Sequence, residues 1–198
     1  MNSEEADSAD TGDADTRNVV DRYKGWPMDD IVADLDSRRH AFHVAIENWQ
    51  HDFNIGSVVR TANAFLAKEV HIIGNRRWNR RGAMVTDRYQ HVRHHPTVEE
   101  FVSWAHAEGL RVIGIDNLPG SVPLETYDLP KSCVLVFGQE SVGLSDAVRE
   151  AADATLAIAQ YGSTRSINAG AAGAIAMHSW IRQHADIEAG HEAHPGAG

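Results

Sequence analysis

The feature that most constrains the fold of this chain is an alternation of strand-like and helix-like segments between residues 41 and 184. Short runs of apolar residues predict strands at 41–46, 69–73, 111–116, 132–137 and 154–158. Apolar residues at helical spacing predict helices at 55–66, 98–108, 145–151 and 168–184. Because strands that alternate with helices pair in parallel, the sequence predicts an α/β fold with helices flanking a parallel sheet.

The charge of the chain is distributed unevenly. The formal net charge is −10, but residues 1–36 hold 11 acidic and 3 basic groups, whereas residues 37–198 hold 17 acidic and 15 basic groups. Within the nearly neutral body, segment 76–93 contains six arginines and a single acidic residue, Asp87. The net charge therefore does not exclude a nucleic-acid partner, because most of the excess negative charge is in residues 1–36 and a local basic patch follows later in the sequence.

Composition also divides the chain and excludes several classes of protein. We expect residues 1–36 to be an acidic, largely disordered extension, residues 37–184 to be the folded domain and residues 185–198 to be a flexible tail. The single cysteine, Cys133, excludes a disulfide framework and lies in an apolar run, where a buried inert thiol is expected. The sequence has neither a signal peptide nor a membrane-length apolar stretch, so a cytosolic location is expected.

Two segments at the ends of predicted strands contain more polar residues and glycine than packing requires. In segment 51–60, Asn54 lies where a helix begins and Arg60 points away from the apolar stripe of that helix. Segment 137–145 is a glycine-rich turn from a buried strand into a helix, with Glu140 at the strand end. Each has a structural alternative: an N-cap with a solvated arginine for the first, and a tight strand-to-helix connection for the second.

The third such segment, 160–175, is a polar loop followed by a helix whose first turns are almost all glycine and alanine. Glycine destabilises a helix by about 0.5–1 kcal/mol relative to alanine, so Gly170 and Gly173 require a steric reason. That reason is either the close approach of a ligand or of chain, or tight packing of the helix on the sheet.

Together these three segments resemble the motifs of the SpoU-type (TrmH-like) RNA ribose 2′-O-methyltransferases of the SPOUT superfamily. Asn54 and Arg60 match the first motif. The second motif is matched by Phe137-Gly138-x-Glu140-x-x-Gly143-Leu144-Ser145, and the third by Ser166-Ile167-Asn168. The resemblance covers residues 41–183, nearly the whole body of the chain.

This resemblance implies an α/β domain whose C-terminal segment passes through a loop as a deep trefoil knot, an arrangement that few proteins have. It implies S-adenosylmethionine as cofactor, bound within the knot by Ile115, Gly138, Ile158, Ser166 and Ile167. Gly138→Val is expected to abolish this binding by filling the space that the ligand needs. The resemblance also implies a homodimer with the active site at the subunit interface, and no metal is expected.

The implied reaction is attack of a ribose 2′-hydroxyl of RNA on a methyl group carried by a sulfonium sulfur. That hydroxyl is a weak nucleophile, so a residue must accept its proton or stabilise the alkoxide that develops. The resemblance assigns this role to Arg60, either as a base or through its charge. It assigns the positioning of Arg60, the loops and the substrate to Asn54, Glu140, Ser166 and Asn168.

The arginine-rich segment fits an RNA-binding surface, with tRNA and ribosomal RNA both open as partners. The arginines expected to contact phosphates are Arg76, Arg77, Arg80, Arg81 and Arg88. Trp78 or Tyr89 could stack on an exposed base, and a solvated basic loop is the structural alternative. A non-catalytic RNA-binding protein that keeps the knot and the cofactor is the competing function, whereas a dinucleotide-dependent oxidoreductase lacks its Gly-x-Gly-x-x-Gly motif.

Overall fold

The structure is a computed structural model that describes residues 19–50, 54–139 and 142–192. The strands are β1 (His43–Asn48), β2 (Val70–Gly74), β3 (Val92–His95), β4 (Arg111–Ile115), β5 (Val122–Pro123), β6 (Cys133–Phe137) and β7 (Ala154–Ala157). The helices are α1 (Met28–Asp36), α2 (Ile55–Ala64), α3 (Val98–Ala107), α4 (Asp146–Ala151), α5 (Ala169–His184) and α6 (Ile187–Glu192). Within these described ranges, no helix is long and apolar enough to cross a membrane.

The strands form a seven-stranded sheet in the order β3-β2-β1-β6-β4-β7-β5, and every pair is parallel. Helices cover both faces because the central strands are apolar on both sides, as a parallel sheet requires. Residues of α2 and α5 pack on one face around Ile46 and Phe137, and residues of α3 and α4 pack on the other around Ala45 and Val136. The predicted α/β class with a parallel, helix-flanked sheet is thus confirmed.

The two strands at the edges of the sheet, β3 and β5, were not predicted from the sequence. Strand β3 has the sequence Val-Arg-His-His and is mostly exposed, so it lacks the apolar run that marks a buried strand. Strand β5 has only two residues, both exposed. The predicted buried thiol is confirmed: Cys133 is fully buried, and burial raises its pKa to about 12, which keeps it protonated.

The segment before the sheet differs from the expected disorder over its described part. Residues 19–36 contain helix α1, and Tyr23, Ile31 and Leu35 are buried in a small cluster with Tyr89. Their burial joins this segment to the body of the protein, so an extension that is disordered up to residue 36 is wrong for residues 19–36. Residues 1–18 lie outside the described residues. Part of the expected flexible tail, 187–192, is helix α6.

A row of three histidines, here called the histidine cluster, lies beneath α3. His43 Nδ1 is 3.0 Å from His71 Nε2, and His71 Nδ1 is 3.0 Å from His95 Nε2. The ring of Trp104 on α3 lies 4.1 Å from that of His71. Burial lowers the pKa of His71 to about 2 and those of His43 and His95 to about 4, so all three are neutral at pH 7.

Candidate active site

A pocket opens at the edge of the sheet where the parallel strands end, here called the carboxyl edge. It is formed by the chain that follows β4, β6 and β7 and by the segment that precedes α5. Ligands bind at this edge in open α/β sheets, because the loops there diverge and leave a crevice. The five residues predicted to bind cofactor all line this pocket: Ile115, Gly138, Ile158, Ser166 and Ile167.

The loop after β6 is closed on itself and tied to β4. Gln139 and Gly143 exchange two backbone hydrogen bonds, with N···O distances of 3.1 and 2.8 Å. Asp116, directly after β4, accepts the backbone N–H of Leu144 at 2.9 Å through Oδ2 and that of Asn117 at 2.7 Å through Oδ1. One carboxylate therefore fixes the loop against the neighbouring strand, and Asp116 itself lines the pocket.

Gly138 is required by this loop rather than by the space for a ligand. An ideal Cβ at Gly138 would lie 2.0 Å from the carbonyl carbon of Gly143 and 2.2 Å from the nitrogen of Leu144. A side chain there would collide with backbone that cannot move independently. The expected reason for the effect of Gly138→Val is therefore wrong, because the substitution would break the loop before it filled the pocket.

Asn54 and Asn168 bring the first turns of α2 and α5 together across 114 residues of chain. The Asn168 Nδ2 donates to Asn54 Oδ1 at 2.9 Å. Asn168 is also the N-cap of α5, since its Oδ1 accepts the backbone N–H groups of Gly170 at 2.9 Å and Ala171 at 3.2 Å. The predicted first and third motifs thus meet in space, and this side-chain hydrogen bond joins them.

The two glycines at the start of α5 differ in what they permit. An ideal Cβ at Gly170 would lie 3.1 Å from Asn168 Oδ1 and 3.3 Å from the Ser57 side chain. Gly170 therefore allows α5 to approach α2 at the asparagine pair. At Gly173 the closest contact would be 3.5 Å, to Val58, which is an ordinary packing distance, so no steric reason for glycine exists there.

The remaining predicted catalytic residues are placed differently. Ser166 is exposed and lines the pocket, whereas Arg60 is exposed on α2 and is not among the residues that line it. No ion pair within the described part of the chain includes Arg60. Glu140 lies outside the described residues.

The arginine-rich segment starts where β2 ends, so it leaves the sheet at the carboxyl edge. Its five predicted RNA-binding arginines, Arg76, Arg77, Arg80, Arg81 and Arg88, are all exposed. Asn48, fully buried at the end of β1, holds the segment by donating from Nδ2 to the carbonyl oxygens of Asn75 at 2.6 Å and Arg77 at 2.9 Å.

The same segment packs against the first turn of α2. An ideal Cβ at Gly56 would lie 2.7 Å from the backbone of both Gly82 and Ala83, so only glycine permits this contact. The turn that follows contains Met84 and Val85 with φ of 48° and 73°, values that side chains with a Cβ rarely adopt. The basic residues are therefore held beside the asparagine pair by fixed backbone contacts.

The two aromatic residues predicted to stack on a base are poorly placed for it. Tyr89 is 5% exposed and belongs to the small cluster around α1. Trp78 packs against the main core, and the guanidinium of Arg80 lies 5.6 Å from the centre of its ring. The prediction is wrong for Tyr89, because the apolar side chains of segment 19–36 cover it.

Comparison with known proteins identifies the family. The model of the SpoU rRNA Methylase family matches residues 41–178. The tRNA (cytidine(34)-2′-O)-methyltransferase of Ancylobacter novellus is 32% identical over 137 residues, which are 66% of this chain and 85% of that protein. The chain belongs to the SpoU rRNA methylase family. As a member of that family it is an RNA methyltransferase.

Solved SpoU structures share its architecture. The SpoU methyltransferase AviRb from Streptomyces viridochromogenes, in complex with AdoMet, is 25% identical with a TM-score of 0.67 over 76% of this chain and 60% of that chain. A structure described as giving insights into 2-OH methylation of C/U34 on tRNA is 27% identical, with a TM-score of 0.65 over 73% of this chain and 96% of that chain. By contrast, the chain spans about half the length of its mycobacterial relatives, for example 54% of a Mycolicibacterium vanbaalenii tRNA/rRNA methyltransferase.

Sequence reasoning missed the residues that hold the SpoU loops together. Glu47 is fully buried at the end of β1, where Oε2 accepts the Ser145 backbone N–H and Oε1 accepts the Trp49 indole N–H, both at 2.8 Å. With Asn48 and Asp116, it forms a set of polar residues that directly follow or end an apolar strand. That position was the available signal, because a polar residue at the carboxyl end of a buried strand lies at the ligand edge.

The absence of a metal stays a prediction for this SpoU enzyme. One group among the described residues could hold an ion: His43, Glu69 and His71 offer ligand atoms within 4.8 Å of one another. Arg93 already forms an ion pair with the Glu69 carboxylate, with Nε 3.1 Å from Oε1. This cation disfavours a second one beside it, so no metal chemistry is assigned to the group.

Proposed function

We propose that this chain methylates a ribose 2′-hydroxyl of tRNA at a site that two copies of the chain build together. The observation that carries the proposal is the convergence, at one edge of the sheet, of the pocket, the asparagine pair and the exposed arginines. Each of these is held there by its own set of hydrogen bonds or glycine contacts, so the arrangement is preorganised.

The pocket suits S-adenosylmethionine in shape and chemistry. Three isoleucines, Ile115, Ile158 and Ile167, supply apolar walls, and the backbone around Gly138 and Ser166 supplies polar groups. A few polar groups in an apolar pocket fix the orientation of a ligand. When bound, S-adenosylmethionine supplies the methyl group, which leaves the sulfonium sulfur for the ribose oxygen as that oxygen loses its proton.

In this proposal Arg60 either stabilises the alkoxide that develops as the 2′-hydroxyl loses its proton or, as a neutral guanidine, accepts that proton. Because its guanidinium is exposed, it is available to a substrate or to a second chain. We propose that Arg60 of one copy serves the pocket of the other, which explains why an arginine on α2 does not line the pocket of its own chain. Asn54, Ser166 and Asn168 position the loops around it, and Glu140 is proposed to act with them.

The close approach of chain to chain at this edge supports the expected trefoil knot. The loop from Gly138 to Leu144 and the segment before α5 line the same pocket, and Gly170 permits α5 to lie against α2. We propose that the C-terminal segment is knotted there, that residues 37–184 are the catalytic body, and that the enzyme works as a cytosolic homodimer.

tRNA is proposed as the acceptor because of the relatives matched along most of their length. The chain covers 85% of the tRNA (cytidine(34)-2′-O)-methyltransferase of A. novellus and 96% of the structure described for C/U34 on tRNA. In our proposal Arg76, Arg77, Arg80, Arg81 and Arg88 contact the phosphates of this RNA, since phosphate contacts position a nucleic acid.

The test is to map 2′-O-methylated nucleotides in total RNA from cells with and without this gene. The proposal expects a tRNA position that loses its methyl group without the gene and regains it when purified enzyme and S-adenosylmethionine are added. If the methyl group is lost from ribosomal RNA instead, ribosomal RNA and not tRNA is the substrate. If no RNA loses a methyl group, the non-catalytic RNA-binding alternative is favoured.

A further inference from the structure

Trp49 is an exposed aromatic residue at the carboxyl edge that no part of the proposed mechanism uses. It directly follows Asn48, the last residue of β1, and it is 39% exposed. An indole left in contact with water at a functional edge is unusual because its large apolar surface favours burial. Here the ring remains exposed to solvent although the residues around it hold it in place.

Four contacts hold Trp49. Its indole N–H donates to Glu47 Oε1 at 2.8 Å, its backbone N–H donates to Gln139 Oε1 at 3.2 Å, and its carbonyl oxygen accepts from Asn75 Nδ2 at 2.9 Å. The six-membered part of the ring lies against Gly74, where an ideal Cβ would be 2.6 Å from Cε3. The ring is thus held by β1 and β2, and the backbone of Trp49 is held by the residues that follow β2 and β6.

The same partners place Trp49 between the cofactor pocket and the basic segment. Gln139 lines the pocket, and Asn75 is followed in the chain by the exposed Arg76 and Arg77. A nucleotide whose phosphate lies on these arginines would present its base near Trp49. Fixed aromatic rings beside a basic surface are the usual means of binding unpaired bases, since every base has a face that can stack.

We propose that Trp49 is a stacking platform for an unpaired base of the RNA substrate, next to the nucleotide that is methylated. This inference rests on the proposed function and adds a specific contact to it. The buried carboxylate of Glu47 sets the angle of the ring, and the missing side chain of Gly74 lets the ring lie flat against β2. Glu47 and Gly74 are positioning residues, whereas Trp49 touches the substrate.

The test compares Trp49→Leu, Trp49→Phe and Trp26→Leu. Leucine keeps apolar bulk but cannot stack, and phenylalanine keeps an aromatic face but loses the N–H that bonds Glu47. Trp26 is a matched control, because it is 41% exposed and lies in segment 19–36. The probe is a transcribed tRNA with cytidine at position 34, and the measurements are its dissociation constant, the dissociation constant of S-adenosylhomocysteine and the thermal midpoint.

Trp49→Leu is expected to weaken tRNA binding about tenfold, with unchanged affinity for S-adenosylhomocysteine and a thermal midpoint no lower than that of Trp49→Phe, which loses the same bond to Glu47. Trp49→Phe keeps most of the affinity, and Trp26→Leu keeps all of it. Gly74→Ala displaces the ring without removing it and also strains the backbone, where φ is 101°, so it is expected to weaken tRNA binding and to lower the midpoint. The indole emission that is present in the wild type and absent in Trp49→Phe is quenched by tRNA.

Equal tRNA affinity in Trp49→Leu and the wild type overturns the proposal. A loss of S-adenosylhomocysteine binding in Trp49→Leu also overturns it, because Trp49 would then support the wall of the pocket. The proposal is likewise overturned if the emission from Trp49 changes when the protein dimerises but not when tRNA is added. The proposed function is judged separately, by methyl transfer with the wild type. If that transfer fails while Trp49→Leu still loses tRNA affinity, the reaction is wrong and the stacking contact stands.

Discussion

The carboxyl edge of the sheet and the histidine cluster beneath α3 both place polar side chains on a largely apolar framework, yet they do opposite things with them. At the edge, Glu47, Asn48 and Asp116 bond to the backbone of loops, and those loops surround an open pocket. In the cluster, His43 and His71 bond to other imidazoles under the ring of Trp104, and little of that surface meets water.

The difference teaches how to separate a site from a polar core. A side chain that holds backbone groups of several loops organises space for a ligand. Neutral imidazoles that bond to one another use most of their hydrogen-bonding groups inside the protein and hold no loops around a ligand. Changes at the exposed residues of the edge should therefore alter binding and turnover with little effect on stability, whereas changes in the cluster should alter stability and leave turnover intact.

The largest expected effect concerns Arg60. Arg60→Ala is predicted to lower the rate of single-turnover methyl transfer by about 10² to 10⁴, because the alkoxide loses its stabilising group. Since the side chain is exposed, the free energy of unfolding should change by less than about 0.5 kcal/mol. The rate is measured with tRNA and S-adenosylmethionine both saturating, so that weaker binding does not lower it.

Arg60→Lys separates the possible roles of that side chain. Lysine keeps the positive charge but loses the planar guanidinium. Substantial activity would indicate stabilisation by charge alone, and near-complete loss would indicate a geometry that only arginine supplies. A wild-type rate in Arg60→Ala would remove Arg60 from the mechanism while leaving the family membership intact.

The second effect in size concerns the basic segment beside the edge. Replacing Arg76, Arg77, Arg80 and Arg81 together by glutamine should weaken tRNA binding more than tenfold at low salt. The slope of log affinity against log salt should fall by up to about 3, because each lost phosphate contact removes about 0.7–0.9. Filter binding at several salt concentrations measures both quantities.

The matched control removes charges from the opposite side of the protein. Lys131 and Arg182 are exposed, and both lie at the edge where the strands begin: Lys131 just precedes β6, and the last turn of α5, which contains Arg182, bonds to Leu129. Replacing both with glutamine should leave the slope unchanged. An equal decrease per charge in the two variants would mean that tRNA senses overall charge, and the segment would lose its assignment as the RNA surface.

The smallest effect concerns the histidine cluster and depends on pH. Because burial lowers the pKa of His71 to about 2 and of His43 and His95 to about 4, the unfolded chain binds more protons below pH of about 6.5. Above that pH, the three buried imidazoles, which are neutral, make their full contribution to the free energy of unfolding. This contribution is lost as the pH falls, by at most about 1.4 kcal/mol per pH unit for each histidine.

Urea unfolding at pH 7 and pH 5 measures this dependence. His43→Gln removes the most accessible member of the cluster and should reduce the loss of stability between these two pH values, with methyl transfer at pH 7 unchanged. The same loss in the variant and the wild type would show that other groups titrate in this range. A loss of methyl transfer would contradict the purely structural role of the cluster.

The parts of the fold that were predictable from sequence are those with strong apolar periodicity. Helix α2 and strand β6 fall within two residues of their predicted bounds, because buried elements carry an apolar pattern. Strand β3 could not be found this way, since its two exposed residues are Val92 and Arg93 and its two more buried residues are histidines. Its place in the sheet comes from pairing with β2, which is a tertiary contact.

The same distinction applies to the residues of the site. Residues in short motifs, such as Asn54 and Asn168, were found, and their contact across the chain required the fold. Trp49 was missed because the sequence around it gives no sign that Gly74 and Gln139 come to meet it. The prediction that Tyr89 stacks on a base was wrong because its burial depends on helix α1, which lies far away in the sequence.

The measurement that tests the central claim most directly is calorimetric titration of S-adenosylhomocysteine into the wild type, Ala172→Phe and Ala107→Phe. Ala172 lines the pocket from α5, whereas Ala107 is exposed at the end of α3, so the same substitution fills the site in one variant and leaves it open in the other. The account predicts one site per chain in the wild type and in Ala107→Phe, and no binding in a folded Ala172→Phe. Unchanged binding in Ala172→Phe would contradict it, because the ligand would then lie elsewhere.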